Sequence, residues 1–73
     1  MGDAPRTHER LTVNLVRQTV EARDQAMEFT GLSKTDVVNR ALQVYAFVLS
    51  EIAAGSKICV REPDGSLMEV KFV

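Results

Sequence analysis

The sequence predicts a mainly helical α+β chain, ordered strand, helix, helix and C-terminal β-hairpin, and it predicts that two copies associate to complete the fold. Three observations lead there. Residues 10–15 alternate strictly between polar and apolar side chains. Two longer segments repeat their apolar residues at helical spacing. Residues 56–73 then switch from a period near 3.6 to a period of 2, around Glu62-Pro63-Asp64-Gly65-Ser66. Association follows from size and from the lone strand. A chain of 73 residues buries a small fraction of its surface, and small domains need a disulfide, a metal or a second subunit. One cysteine, Cys59, and one histidine, His8, exclude the first two.

Residues 1–9 read as a flexible arm, since Gly2, Asp3 and Pro5 break any regular pattern. In residues 10–15, Leu11, Val13 and Leu15 share one face of an extended strand, and Arg10, Thr12 and Asn14 share the other. A lone strand cannot satisfy its own backbone groups. The next strand candidate lies beyond Ser56, so the simplest partner is the same strand from a second copy. A helix is expected over residues 16–30, with Val16, Thr19, Val20, Ala22, Ala26, Met27 and Phe29 as its apolar stripe. Arg23 interrupts that stripe, and is expected to pack its stem while its head reaches a carboxylate. Gly31 is placed to cap the helix in a left-handed conformation.

Ser33 is a good N-cap, and Asp36 three residues on completes a capping-box-like pattern. The second helix is expected over residues 34–54. Val37, Val38, Ala41, Leu42, Tyr45, Val48, Leu49 and Ile52 follow the i, i+3, i+4, i+7 rule and make it the main core element. Val44 and Phe47 lie off that stripe and need cover. Gly55 stops the helix. In the hairpin, a three-residue loop at 63–65 pairs Val60 with Met68 and Ile58 with Val70 on one face. Cys59 then pairs with Glu69, and Arg61 with Leu67, on the other. The first face, with Phe72, is apolar and is expected to pack over Val44 and Phe47. The domain reading is an arm at 1–9, a dimerising unit at 10–55 and a hairpin at 56–73.

The strand–helix–helix order, the alternating segment Arg10-Leu11-Thr12-Val13-Asn14-Leu15, the turn Gly31-Leu32-Ser33-Lys34 and the apolar run of the second helix together resemble the ribbon-helix-helix family, the Arc/MetJ/CopG-type DNA-binding repressors. The resemblance covers about residues 10–54, and the hairpin lies outside it. It implies an intertwined homodimer whose paired strands enter the major groove of double-stranded DNA. Arg10, Thr12 and Asn14 then face base edges, where arginine suits guanine and asparagine suits adenine. Ser33, Lys34 and Thr35 hold a phosphate at the positive end of the second helix. Leu11, Val13, Leu15, Val38, Leu42, Tyr45 and Leu49 form the dimer core. No cofactor and no metal are implied.

The implied function is a sequence-specific transcriptional repressor, acting as a dimer, a tetramer or a cooperative row of dimers. Two alternatives share the same chain. An antitoxin of a toxin–antitoxin pair would use the same DNA head, but usually carries a long tail that folds on the toxin. A protein-interaction module that has lost DNA binding would use the 56–73 hairpin to meet a protein partner; the net charge of −1 and a pI near 5.7 favour it a little. An enzyme is not expected, because no nucleophile–base set, paired carboxylates, phosphate loop or metal cluster is visible. No stretch is long and apolar enough to span a membrane and residues 1–10 lack an apolar signal core, so a soluble cytoplasmic protein is expected.

Overall fold

The computed structural model describes residues 9–72. Among them the elements are α1 (Arg17–Thr30), α2 (Lys34–Ala53), β1 (Cys59–Arg61) and β2 (Leu67–Glu69). The result is a small α+β arrangement of two helices and a two-stranded antiparallel sheet. No described helix is long and apolar enough to cross a membrane. The expected arm at 1–9 falls outside the described residues except for Glu9.

The leading strand is a correction. Residues 10–15 carry no regular secondary structure, so the order is helix, helix, hairpin rather than strand, helix, helix, hairpin. The physical reason is pairing. A strand exists only as half of a ladder, and the two strands among the described residues pair with each other.

Each helix ends where its local chemistry says it should. Val16 is extended (φ −76°, ψ 164°) and serves as the N-cap of α1 without a side-chain cap, so the helix starts one residue later than expected. Its carbonyl accepts from the Thr19 and Val20 N–H groups at 3.0 Å each. At the other end Gly31 takes φ 72° and donates its N–H to the Met27 carbonyl at 2.8 Å. Only glycine adopts that conformation without a Cβ penalty. Ser33 is extended and caps α2, its Oγ accepting from the Asp36 N–H at 3.2 Å. At the far end, Gly55 donates to the Ile52 carbonyl at 3.0 Å and Ser56 to the Glu51 carbonyl at 2.9 Å, the paired bonds of a Schellman turn.

The two helices pack on each other with Val20, Arg23, Ala26 and Met27 half-buried on α1 and Val37 half-buried on α2. Val48 is the one buried residue among those described, at 7% exposure. Arg23 fits the expectation made for it. Its side chain is mostly covered, and its guanidinium lies 2.9 Å from the Asp24 carboxylate.

Much of the apolar surface stays open. A compact chain of this mass exposes about 4,500 Å², whereas this one exposes 6695 Å². Its radius of gyration is 16.0 Å, against about 11 Å for a compact chain of this length. Part of the excess is the unpaired stretch before α1, where Leu11, Val13 and Leu15 are exposed; the rest includes the apolar faces of α2.

The hairpin forms in the expected register, with Cys59 opposite Glu69, Val60 opposite Met68 and Arg61 opposite Leu67. The Val70 N–H donates to the Ile58 carbonyl at 2.8 Å, extending the ladder by one pair. Gly65 has φ 93° and donates to the Glu62 carbonyl at 2.8 Å, closing a turn that leads into a left-handed residue. Its docking is a second correction. Neither strand contacts a helix, and Val44 and Phe47 are each 61% exposed. The Schellman turn at Gly55 carries the chain off the end of α2 before the hairpin begins. Only the tail returns, where Phe72 lines a shallow groove of about 390 Å³ with Ala26, Val37, Ala41, Val44 and Val48.

Candidate nucleic-acid interface

The residues expected to read bases lie on the stretch ahead of α1. Arg10, Thr12 and Asn14 are all exposed, and no hydrogen bond or ion pair among the described residues engages their side chains. The alternation of 10–15 still separates them from Leu11, Val13 and Leu15, but without a ladder the two sets are not yet fixed on opposite faces.

The residues expected to hold a phosphate open α2. Ser33 is the N-cap, and Lys34 and Thr35 are the first two helical residues. The Ser33 hydroxyl already engages the Asp36 N–H, and the Ser33 carbonyl takes the Val37 N–H at 2.9 Å. That leaves the Lys34 and Thr35 N–H groups without an acceptor among the described residues. They are two of the orphan donors at any helix start, and they point where the helix dipole is positive. Lys34 adds a full charge. Asp36 in the first turn opposes it and satisfies part of the dipole. Only the serine half of the capping box forms. The Thr35 carbonyl is occupied by the Asn39 side-chain amide at 2.7 Å.

Charge is uneven elsewhere. Glu21, Asp24 and Glu28 share the polar face of α1 with Gln18 and Gln25, so that face repels nucleic acid. In the hairpin, the Ser66 N–H and hydroxyl reach the Asp64 carboxylate at 2.9 and 2.7 Å. Those two bonds, the N–H first, hold the Asp64 carboxyl below its usual range. Lys71 lies 2.9 Å from Glu69, and that contact lowers the Glu69 carboxyl and raises the Lys71 ammonium. No group of three or more metal-ligating side chains occurs among the described residues.

Val38, Leu42, Tyr45, Leu49 and Ile52 stand in a 4-3-4-3 spacing along α2, and all five are exposed in the single chain. That spacing is the seam pattern of paired helices. Four of the five, Val38, Leu42, Tyr45 and Leu49, are residues expected in a dimer core; Ile52 extends the row, and Val48 alone is buried among the described residues. No family model matches the chain, and no curated protein or solved structure matches it either.

Proposed function

We propose that this chain is a sequence-specific, double-stranded DNA-binding transcriptional repressor that works as an intertwined homodimer. Two copies pair their 10–15 segments antiparallel, and the ribbon enters the major groove with Arg10, Thr12 and Asn14 on the base edges. The α2 amides at Lys34 and Thr35, with the Lys34 ammonium, clamp flanking phosphates.

The observation that carries this reading is that the single chain leaves open both halves of one interface. The apolar side of residues 10–15 is uncovered, and so is the 4-3-4-3 stripe of α2. The chain exposes on the order of 2,000 Å² more than a compact chain of its mass, the hairpin included, and an obligate homodimer buries about 1,000–2,500 Å² from each chain. A second strand at 10–15 supplies the missing ladder and turns the alternation into one dry face and one wet face.

The test is fluorescence anisotropy with duplexes tiled across the DNA upstream of the chain's own gene, over a salt series. Affinity is expected to fall steeply with salt. Arg10→Ala is expected to cost about 1–3 kcal/mol with relaxed specificity, while the unfolding midpoint stays unchanged. Sequence-independent binding equal to that of bulk DNA at low salt overturns the proposal. The acidic face of α1 and the slight negative charge favour one other reading, an interaction module without DNA binding. A protein partner that contacts residues 56–72 and no measurable DNA affinity is its signature. The compact hairpin weighs against the antitoxin reading, which calls for a long tail that orders on its partner.

A further inference from the structure

The α2 seam leaves a second apolar face of the same helix unexplained. Arg40, Val44, Phe47 and Glu51 follow one another at i, i+4, i+7 and i+11. At 100° per residue they lie roughly 150° around the helix from the Val38–Leu42–Tyr45–Leu49 stripe, so a partner seated on that stripe does not cover them. Val44 and Phe47 are each 61% exposed. The hairpin has the matching deficit. Val60 and Met68 on its apolar face are exposed while Ile58 and Val70 are half-buried; neither strand touches a helix of its own chain, and only Phe72 of the tail reaches the edge of the helix face, beside Arg40 and Val44. A two-stranded hairpin with an uncovered apolar face is marginal in water.

The two surfaces fit in length and in charge. Arg40 to Glu51 spans about 16 Å of helix. Lys57 to Glu62 spans about 16 Å of strand. Glu62 continues the alternation of Ile58 and Val60, so it belongs to the apolar face at the turn end. Arg40, Glu51 and Glu62 have no ion pair among the described residues. Laid antiparallel to α2, β1 brings Glu62 to Arg40, with Val60 and Met68 over Val44 and Phe47.

We propose that the Arg40–Val44–Phe47 face of α2 seats the hairpin of another copy of this chain. It rests on the dimer reading in one respect: the copy comes from outside the two-chain unit, because the seat faces away from the seam. One hairpin on one helix, about 16 Å by 10 Å, makes a small contact. A reciprocal exchange, two hairpins on two seats, doubles it toward the about 1,000 Å² that a specific interface needs. The product is a four-chain assembly.

Sedimentation velocity on the full chain over a concentration series tests this. The wild type is expected to pass from two to four chains. Phe47→Asp and Met68→Asp are each expected to stop at two chains. Arg40→Glu and Glu62→Arg singly are expected to weaken four-chain assembly about tenfold, and the double charge swap is expected to restore it. Leu42→Asp separates the readings, because it attacks only the seam. If both contacts exist, Leu42→Asp cuts four chains to a two-chain species that Met68→Asp abolishes; if the wild type itself stops at two chains, unaffected by Leu42→Asp and abolished by Met68→Asp, the seat stands and the seam falls. A four-chain species unaffected by Phe47→Asp or Met68→Asp overturns the seat and leaves the seam. A wild type that stops at two chains and keeps them in Met68→Asp overturns it too, including the case where Met68→Asp lowers only the melting temperature, which marks docking within one chain.

Discussion

Leu42→Ala separates a chain that folds alone from one that folds as a pair. In the single chain Leu42 keeps 59% of its surface exposed. If that surface stays in water, the substitution removes a solvated side chain from a helix and replaces it with the best helix former, and stability changes by no more than about 0.5 kcal/mol. If a second α2 covers it, the covered remainder is on the order of 100 Å², worth about 2.5 kcal/mol per chain at about 25 cal/mol per Å². A dimer loses it twice, and any cavity left behind adds to the loss. The assay is urea unfolding followed by circular dichroism, at two protein concentrations a hundredfold apart. The paired fold predicts that the wild-type midpoint rises with concentration and that Leu42→Ala lowers it strongly at both. Val48→Ala is the control, because Val48 is already buried within one chain and its loss is felt in either case. A Leu42→Ala midpoint equal to wild type, with neither protein responding to concentration, refutes the seam.

Three further outcomes follow from local geometry. Ser33→Ala removes the acceptor of the Asp36 N–H and is expected to cost about 1 kcal/mol, read as a lowered urea midpoint; an unchanged midpoint means the cap contributes nothing. Gly65→Ala meets no atom within 4 Å of its new Cβ, so its cost comes from the φ of 93° alone; about 1–2 kcal/mol is expected, seen as loss of cross-strand NMR contacts between Val60 and Met68. The hairpin is also expected to loosen in acid. Its Asp64 and Glu69 carboxyls sit below their ordinary values of 3.8 and 4.5 when folded, so their stabilisation is complete above those values and fades as pH falls through the lower folded ones. Amide shifts of Ser66 and Val70 that stay constant down to about pH 2 would contradict that sign.

What was legible in the sequence is what the chain decides locally. The hairpin register could be read because Pro63, Asp64 and Gly65 specify a turn length, and turn length sets pairing. The start and stop of α2 could be read because Ser33 and Gly55 supply the groups its ends lack. The 10–15 strand was legible as a pattern and absent as an element, since no partner strand for it occurs within the described chain. Where the hairpin sits was legible only in its tail: Phe72 lies beside Val44, while the strands stand clear of both helices. Its apolar face and the Val44–Phe47 face were both visible as unpaired surfaces, and pairing them within one chain was the simplest choice. The direction in which the chain leaves Gly55 decided otherwise, and that direction is a property of the assembled turn rather than of any residue in it. The interface with nucleic acid was legible only as residue types: Arg10, Thr12 and Asn14 can read bases in a ribbon, and a single chain holds no ribbon.

Under the proposed function, association and DNA reading are one event. Ordering the backbone of residues 10–15 costs about 1–2 kcal/mol per residue, and one chain has no ladder to offset it. The reading surface therefore forms only when two chains meet, and DNA that binds the ribbon draws the chains together by mass action. The two substitutions then have crossed signatures. Leu42→Ala touches no DNA, yet below the dimer dissociation constant it weakens binding because fewer ribbons exist, and raising the protein concentration restores full affinity. Arg10→Ala leaves the number of ribbons unchanged, and no protein concentration recovers the lost contact. A titration in which Leu42→Ala lowers DNA affinity by the same factor at every protein concentration breaks the link between ribbon and dimer. DNA contact would then have to come from a surface that the single chain already possesses.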